Sequence, residues 1–226
     1  MAKETLTRWQ KWVKEIEEDV TLLSKHREIY NNVHSIINRN AKIQKPSYFY
    51  TFMHYTYYES TIHRIRKQAA IHDDHASISK LLDHIIQNPE PAAKHNIISS
   101  IKHKYDNIAP GLSENMIKNI HKYYPANPQN THGVELLKES AVKDIETINE
   151  KAELCEQFAA KWLAHYNPDQ DNFSAIKTFQ EIDDTIDTLK GIYKKYSMIL
   201  SGSSVEFFSL DNKLGWQMIF REPWLP

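Results

Sequence analysis

The apolar positions near the start of the chain recur at helical steps. Between about Leu6 and about Asn38 they fall at Trp9, Trp12, Val13, Ile16, Val20, Leu23, Tyr30, Val33 and Ile37, with Lys and Glu between them. Steps of three and four put these side chains on one stripe of a long amphipathic helix. The pattern breaks from Asn38 to Pro46, and Pro46 is well placed to begin a second helix, about Ser47 to about Ala70. Its first half is crowded with aromatics: Tyr48, Phe49, Tyr50, Phe52, Tyr55, Tyr57 and Tyr58. Aromatics on every side predict a helix covered on more than one face, at the centre of the fold or in a dimer contact. These rings can also stack bases, but core packing is the plainer expectation.

After the polar turn His72-Asp73-Asp74-His75, Ser77 is expected to cap a short helix from Ile78 to about Ile86, which Asn88-Pro89-Glu90-Pro91 stops. Two short helices are expected between Ala92 and His132, around a loop at Ala109-Pro110-Gly111. They are read as an insert (about 89–132) decorating the main bundle. The clearest stripe of all runs from about Gly133 to Tyr166, through Leu137, Ala141, Ile145, Ile148, Ala152, Cys155 and Trp162. Asn167-Pro168-Asp169 ends it. Thr178-Phe179-Gln180-Glu181 has the form of a capping box and is expected to open a fourth long helix, with Gly202 just past its end. The tail, about 203–226, carries Phe207, Phe208, Trp216, Phe220 and Trp224, and is expected to pack back on the bundle or on a second subunit. The pattern as a whole predicts one all-α domain over 1–226: an up-and-down four-helix bundle with a small helical insert and an aromatic C-terminal tail.

Composition sharpens this picture. Only five glycines are present, too few for a sandwich, a barrel or a glycine-rich nucleotide loop. With 28 basic and 29 acidic residues the net charge is −1, so any nucleic-acid contact has to come from a local patch. The single cysteine, Cys155, cannot form an intramolecular disulfide and sits in the apolar stripe as a small core residue. No stretch has the length of a membrane span or the form of a signal peptide, so the expected location is the cytoplasm.

Three groups of residues invite chemistry. Lys161 and His165 are four apart and share a helix face, a proton carrier one turn from a phosphate-binding cation. Asn167 and Asp169, just past the helix end, are placed to orient the imidazole or a substrate. The bland reading, a histidine capping its own helix, is the favoured one from these residues alone. Arg64, Arg66 and Lys67 fit either a phosphate clamp or a solvated helix end answering Asp73 and Asp74. The His72-Asp73-Asp74-His75 turn has metal-binding side chains, but neighbours on one turn rarely converge on one ion, and no metal is assigned. No nucleophile elbow and no cofactor motif appears, and no cofactor is expected.

Taken in order, these features resemble a known family. Ile65-Arg66-Lys67-Gln68-Ala69 followed by Ser77-Ile78-Ser79-Lys80-Leu81-Leu82, then Lys161-Trp162-Leu163-Ala164-His165, then Trp216 to Phe220 with Pro223-Trp224, is similar to the abortive-infection U-type HEPN proteins of bacteria. The resemblance spans most of the chain outside the insert. It implies a helical bundle that forms a homodimer and a metal-independent RNA endonuclease of phage defence or a toxin–antitoxin module, with an antitoxin-like partner protein. In that chemistry the ribose 2′-OH attacks the adjacent phosphate. His165 takes the family's histidine position, while Ala159 and Ala160 stand where an arginine is usual. Lys161 is the basic residue at suitable spacing, and Arg66 is the guanidinium that packing would have to bring in. The other reading is an inactive HEPN-type dimeric scaffold that binds RNA, a nucleotide or a partner protein.

Overall fold

The structure is a computed structural model that describes residues 2–44, 48–106, 111–121, 131–163, 173–203 and 218; the side chains at 131–133, 156, 158–163 and 173–179 stand outside that description. Among the described residues there are helices and no strands. Helix α1 spans Ala2–Asn38, α2 Tyr48–Ala69, α3 Ile78–Gln87, α4 Lys94–Tyr105, α5 Leu112–His121, α6 Thr131–Leu163 and α7 Phe173–Ser201, with a 3-10 turn at Glu90–Ala92 before α4.

The long helices alternate in direction. Gln10 Nε2 donates to the Leu200 carbonyl (2.9 Å) and Arg27 Nη2 to Asp187 Oδ1 (2.8 Å), so α1 and α7 run antiparallel. Asp19 meets Arg64, and Tyr30 meets His54, so α1 and α2 are antiparallel as well. Asp144 meets Tyr196, and Cys155 meets Thr185, which makes α6 and α7 antiparallel. Helix α2 closes the ring against α6. The stripe residues Trp9, Ile16, Val20, Leu23, Ala141 and Ile148 are all buried, as their spacing predicts, and so is Cys155.

Three expectations change. The fourth long helix begins at Phe173, so Thr178 lies inside it and the Thr-Phe-Gln-Glu motif is not its start. Phe173-Ser174-Ala175-Ile176-Lys177 contains no glycine or proline, so nothing there prevents an earlier start. The short helix α3 forms where its Ser77 cap places it. Ile78, Ser79, Lys80, Leu81, Leu82 and Ile85 are buried, and the helix packs on α6. The insert does more than decorate the bundle: Ile97 and Ile101 of α4 and Ile120 of α5 join the same core. Finally, the aromatic start of α2 is not covered. Tyr48 is 93% exposed and Phe52 65%, while Tyr57 and Tyr58, two turns on, are buried. Only the half of α2 that lies against α1 is enclosed. Of the tail, Met218 alone is described, and it is exposed.

Candidate functional site

The end of α2 is wired to α1 and α3 through one carboxylate. Asp19 lies on the buried face of α1, three residues after Ile16 and four before Leu23. Arg64 Nη1 donates to its Oδ1 at 3.1 Å, and Lys67 Nζ and Gln68 Nε2 donate to its Oδ2 at 2.6 and 3.1 Å. Gln68 reaches in the other direction as well, its Oε1 accepting from the Ile78 backbone N–H at the start of α3. Two of the three basic residues singled out in the sequence, Arg64 and Lys67, are thus held by Asp19. The expected acidic partners, Asp73 and Asp74, make neither contact. Asp19 sits inside the protein with few alternatives to these cations, whereas Asp73 and Asp74 are exposed to water.

Asp73 and Asp74 serve the turn instead. Buried Lys80, 5% exposed, points its ammonium back at that turn and donates to the Asp73 carbonyl (3.0 Å) and the His75 carbonyl (3.4 Å). The same ammonium lies 4.9 Å from the centre of the Trp12 ring, a cation–π contact that helps replace lost water. Ser77 caps α3, accepting from the Lys80 backbone N–H at 3.0 Å, as its place in the sequence predicts. His75 Nδ1 is 2.8 Å from Asp74 Oδ1, and its Nε2 is 3.4 Å from the Lys67 carbonyl. That hydrogen bond from His75 lowers the pKa of the Asp74 carboxyl.

These elements frame an open cleft of about 870 Å³ between α2, the turn and α6. Arg66, His63, Lys67, His72 and His75 line one side; Asn149, Ala152 and Glu153 of α6 line the other. The His72 and His75 rings are 5.8 Å apart. The sequence marked Arg66, Lys67 and, in the same basic cluster, His63, but assigned no role to Asn149 or Glu153. Among the described residues no group of three or more His, Cys, Asp or Glu is arranged to hold a metal ion.

His165, Asn167 and Asp169 lie outside the described residues, and Lys161 is described only as part of helix α6. Arg66 is set beside Asn149 to Glu153, and α6 continues for roughly 15 Å beyond Glu153 before Leu163. The packing of α2 on α6 therefore does not by itself bring Arg66 to the Lys161 end.

A second polar cluster lies toward the other end of α2. The Tyr30 hydroxyl is 2.5 Å from His54 Nδ1, Tyr30 stacks on Tyr57 at 4.0 Å, and the His34 and His54 rings are 5.9 Å apart. Burial, aided by the neighbouring His34, lowers the His54 pKa. Burial raises the Asp183 carboxyl although Arg27 opposes the shift. Comparison of the chain with protein-family models, with curated proteins and with solved structures finds no match in any of the three.

Proposed function

We propose that the chain binds and cleaves RNA without a metal, as the HEPN resemblance implies, and that the α2–α6 cleft handles the phosphodiester. The observation that carries this reading is the pairing of His72 and His75, 5.8 Å apart, with Arg66 in one open cleft. Cleavage by 2′-OH attack needs a base for the hydroxyl proton, an acid for the departing 5′ oxygen and a cation for the phosphate oxygens. Two imidazoles and a guanidinium are the side chains suited to those tasks near neutral pH. Asp74 and Lys80 act as positioning residues, fixing His75 and the backbone of the turn. Lys161 and His165, which the resemblance marks, are the competing location for the same chemistry. The closed ring of contacts among α1, α2, α6 and α7 supports the up-and-down four-helix bundle that the resemblance implies.

The test is cleavage of total RNA and transfer RNA by wild type, by the double variant His72→Ala/His75→Ala and by His165→Ala. The expected result is a fall of roughly 100-fold or more in the double variant. Loss confined to His165→Ala moves the chemistry to the end of α6. Wild-type protein that cleaves neither RNA refutes the nuclease.

One observation favours the second reading, a homodimeric scaffold that binds RNA or an antitoxin-like partner without reacting. Asp19 neutralises part of the charge that Arg64 and Lys67 would offer a phosphate. A scaffold binds RNA equally well in all three proteins.

A further inference from the structure

The face formed by α1 and α4 has no role in the proposed reaction, yet it holds a strongly cationic groove. Lys3, Lys11 and Lys14 of α1 face Lys104 and His103 of α4 across a space of about 660 Å³, and among the described residues no carboxylate lines it. The chain as a whole has net charge −1, so four lysines around one groove are a local concentration that the average charge does not produce. All four are exposed. Lys11 is partly answered by Glu15 at 3.6 Å; among the described residues no carboxylate lies within ion-pair distance of Lys3, Lys14 or Lys104.

Between the ammonium groups the walls carry neutral hydrogen-bonding groups. Thr7, Asn96, Ser99 and Ser100 line the groove, and Gln10, anchored on the Leu200 carbonyl, reaches Ser100 Oγ at 3.4 Å. Leu6, buried, forms the apolar floor. Lys14 and Lys104 also line a smaller adjoining cavity of about 90 Å³ that runs toward Tyr105, Ser197 and Ser201. Glu17, which lines it, accepts a hydrogen bond from the Tyr193 hydroxyl at 3.2 Å.

Lysine ammoniums interleaved with hydroxyl and amide donors are the side-chain set that contacts phosphate oxygens. Lys3 to Lys14 covers roughly 16 Å of α1, so the charges are strung along a line and not gathered at a point. A volume of this size matches a ligand of nucleotide dimensions. We propose that the α1–α4 groove is a second anion site, which takes a run of linked phosphates such as that of a nucleoside polyphosphate. The proposal does not depend on RNA cleavage.

The experiment uses the full chain and a fluorescent nucleoside triphosphate, followed by anisotropy at low salt. Unlabelled inorganic tripolyphosphate and a short single-stranded oligoribonucleotide serve as competitors. Wild type is expected to bind, and tripolyphosphate to displace the probe. Lys14→Glu/Lys104→Glu should weaken binding by roughly ten-fold or more. Lys143→Glu, a single charge reversal on an exposed position of α6, and His72→Ala/His75→Ala should leave it unchanged. Lys14→Ala/Lys104→Ala replaces the first variant if that one does not fold. Displacement by the oligoribonucleotide but not by tripolyphosphate assigns the phosphates to a nucleic-acid backbone in the same groove. Absence of binding to the triphosphate and the oligoribonucleotide alike, or equal weakening by Lys143→Glu, overturns the proposal.

Discussion

At the scale of single residues, the decisive side chain is Asp19. It is a carboxylate on the apolar face of α1, and burying it is tolerable only because Arg64, Lys67 and Gln68 supply three hydrogen bonds. Removing one member of such a group leaves the others uncompensated. Asp19→Ala should therefore cost about 3 kcal/mol in urea unfolding, at the low end for buried pairs because Arg64 and Lys67 are partly exposed and can turn to water. Asp19→Asn keeps the shape and should cost less. If the α2–α6 cleft binds phosphate, Asp19→Asn should also tighten RNA binding, since it frees Lys67, which lines that cleft, from its carboxylate partner. Unchanged stability in Asp19→Ala would show that these three hydrogen bonds contribute nothing.

At the scale of elements, the junction of α7 with α4 and α5 depends on one glycine. Gly202 ends α7 with φ +68°, its N–H donating to the Met198 carbonyl at 2.9 Å. A Cβ there would lie 2.7 Å from Met116 Cβ, 3.1 Å from Ile101 Cδ1 and 3.2 Å from the Met116 carbonyl oxygen. Left-handed backbone and a clash with Met116 Cβ and its carbonyl oxygen act together. Gly202→Ala should cost at least about 2 kcal/mol. Gly111, also at positive φ but with open space around it, should lose only the conformational part, roughly 1 kcal/mol, on the same substitution. Equal thermal shifts for the two variants would contradict this packing account. The position of Gly202 after an apolar helix was legible in the sequence; its contact with Met116 was not, because it depends on where α5 comes to rest.

At the scale of the whole molecule, stability should depend on pH through partly buried histidines. Burial lowers the pKa of His26, His54 and His84, and Arg64, His34 and Arg8 respectively reinforce the shift. A histidine with a lowered folded-state pKa takes up its proton more readily when unfolded. Its contribution is complete above the ordinary value of 6.5 and is lost as pH falls through the folded value. The midpoint of thermal unfolding should thus drop as pH is lowered from neutrality past 6.5, and His54→Gln should make that drop shallower. Asp183 works in the opposite sense at lower pH, since its raised carboxyl favours the folded protein once protonated. A midpoint that rises between neutral pH and pH 5 would contradict the burial of these imidazoles.

The sequence by itself determined the helices. Helical steps in Trp9 to Ile37 and Leu137 to Cys155, the Ser77 cap and the few glycines specify local structure, which depends on near neighbours in the chain. It also showed the Arg64–Lys67 end of α2 and the His72–His75 turn as places for chemistry. Tertiary structure decided which charges meet. The carboxylate that holds Arg64 and Lys67 comes from 45 and 48 residues away, and Lys3 to Lys14 faces Lys104 across a groove between distant helices. Asp19 did leave a trace, a charge inside the Ile16–Leu23 stripe. Lys80 left none, because nothing in Ile78-Ser79-Lys80-Leu81 says that the first turn of this ten-residue helix will be buried all round. Coulomb and hydrogen-bond energies depend on distance in space, and periodicity along the chain carries no record of that distance.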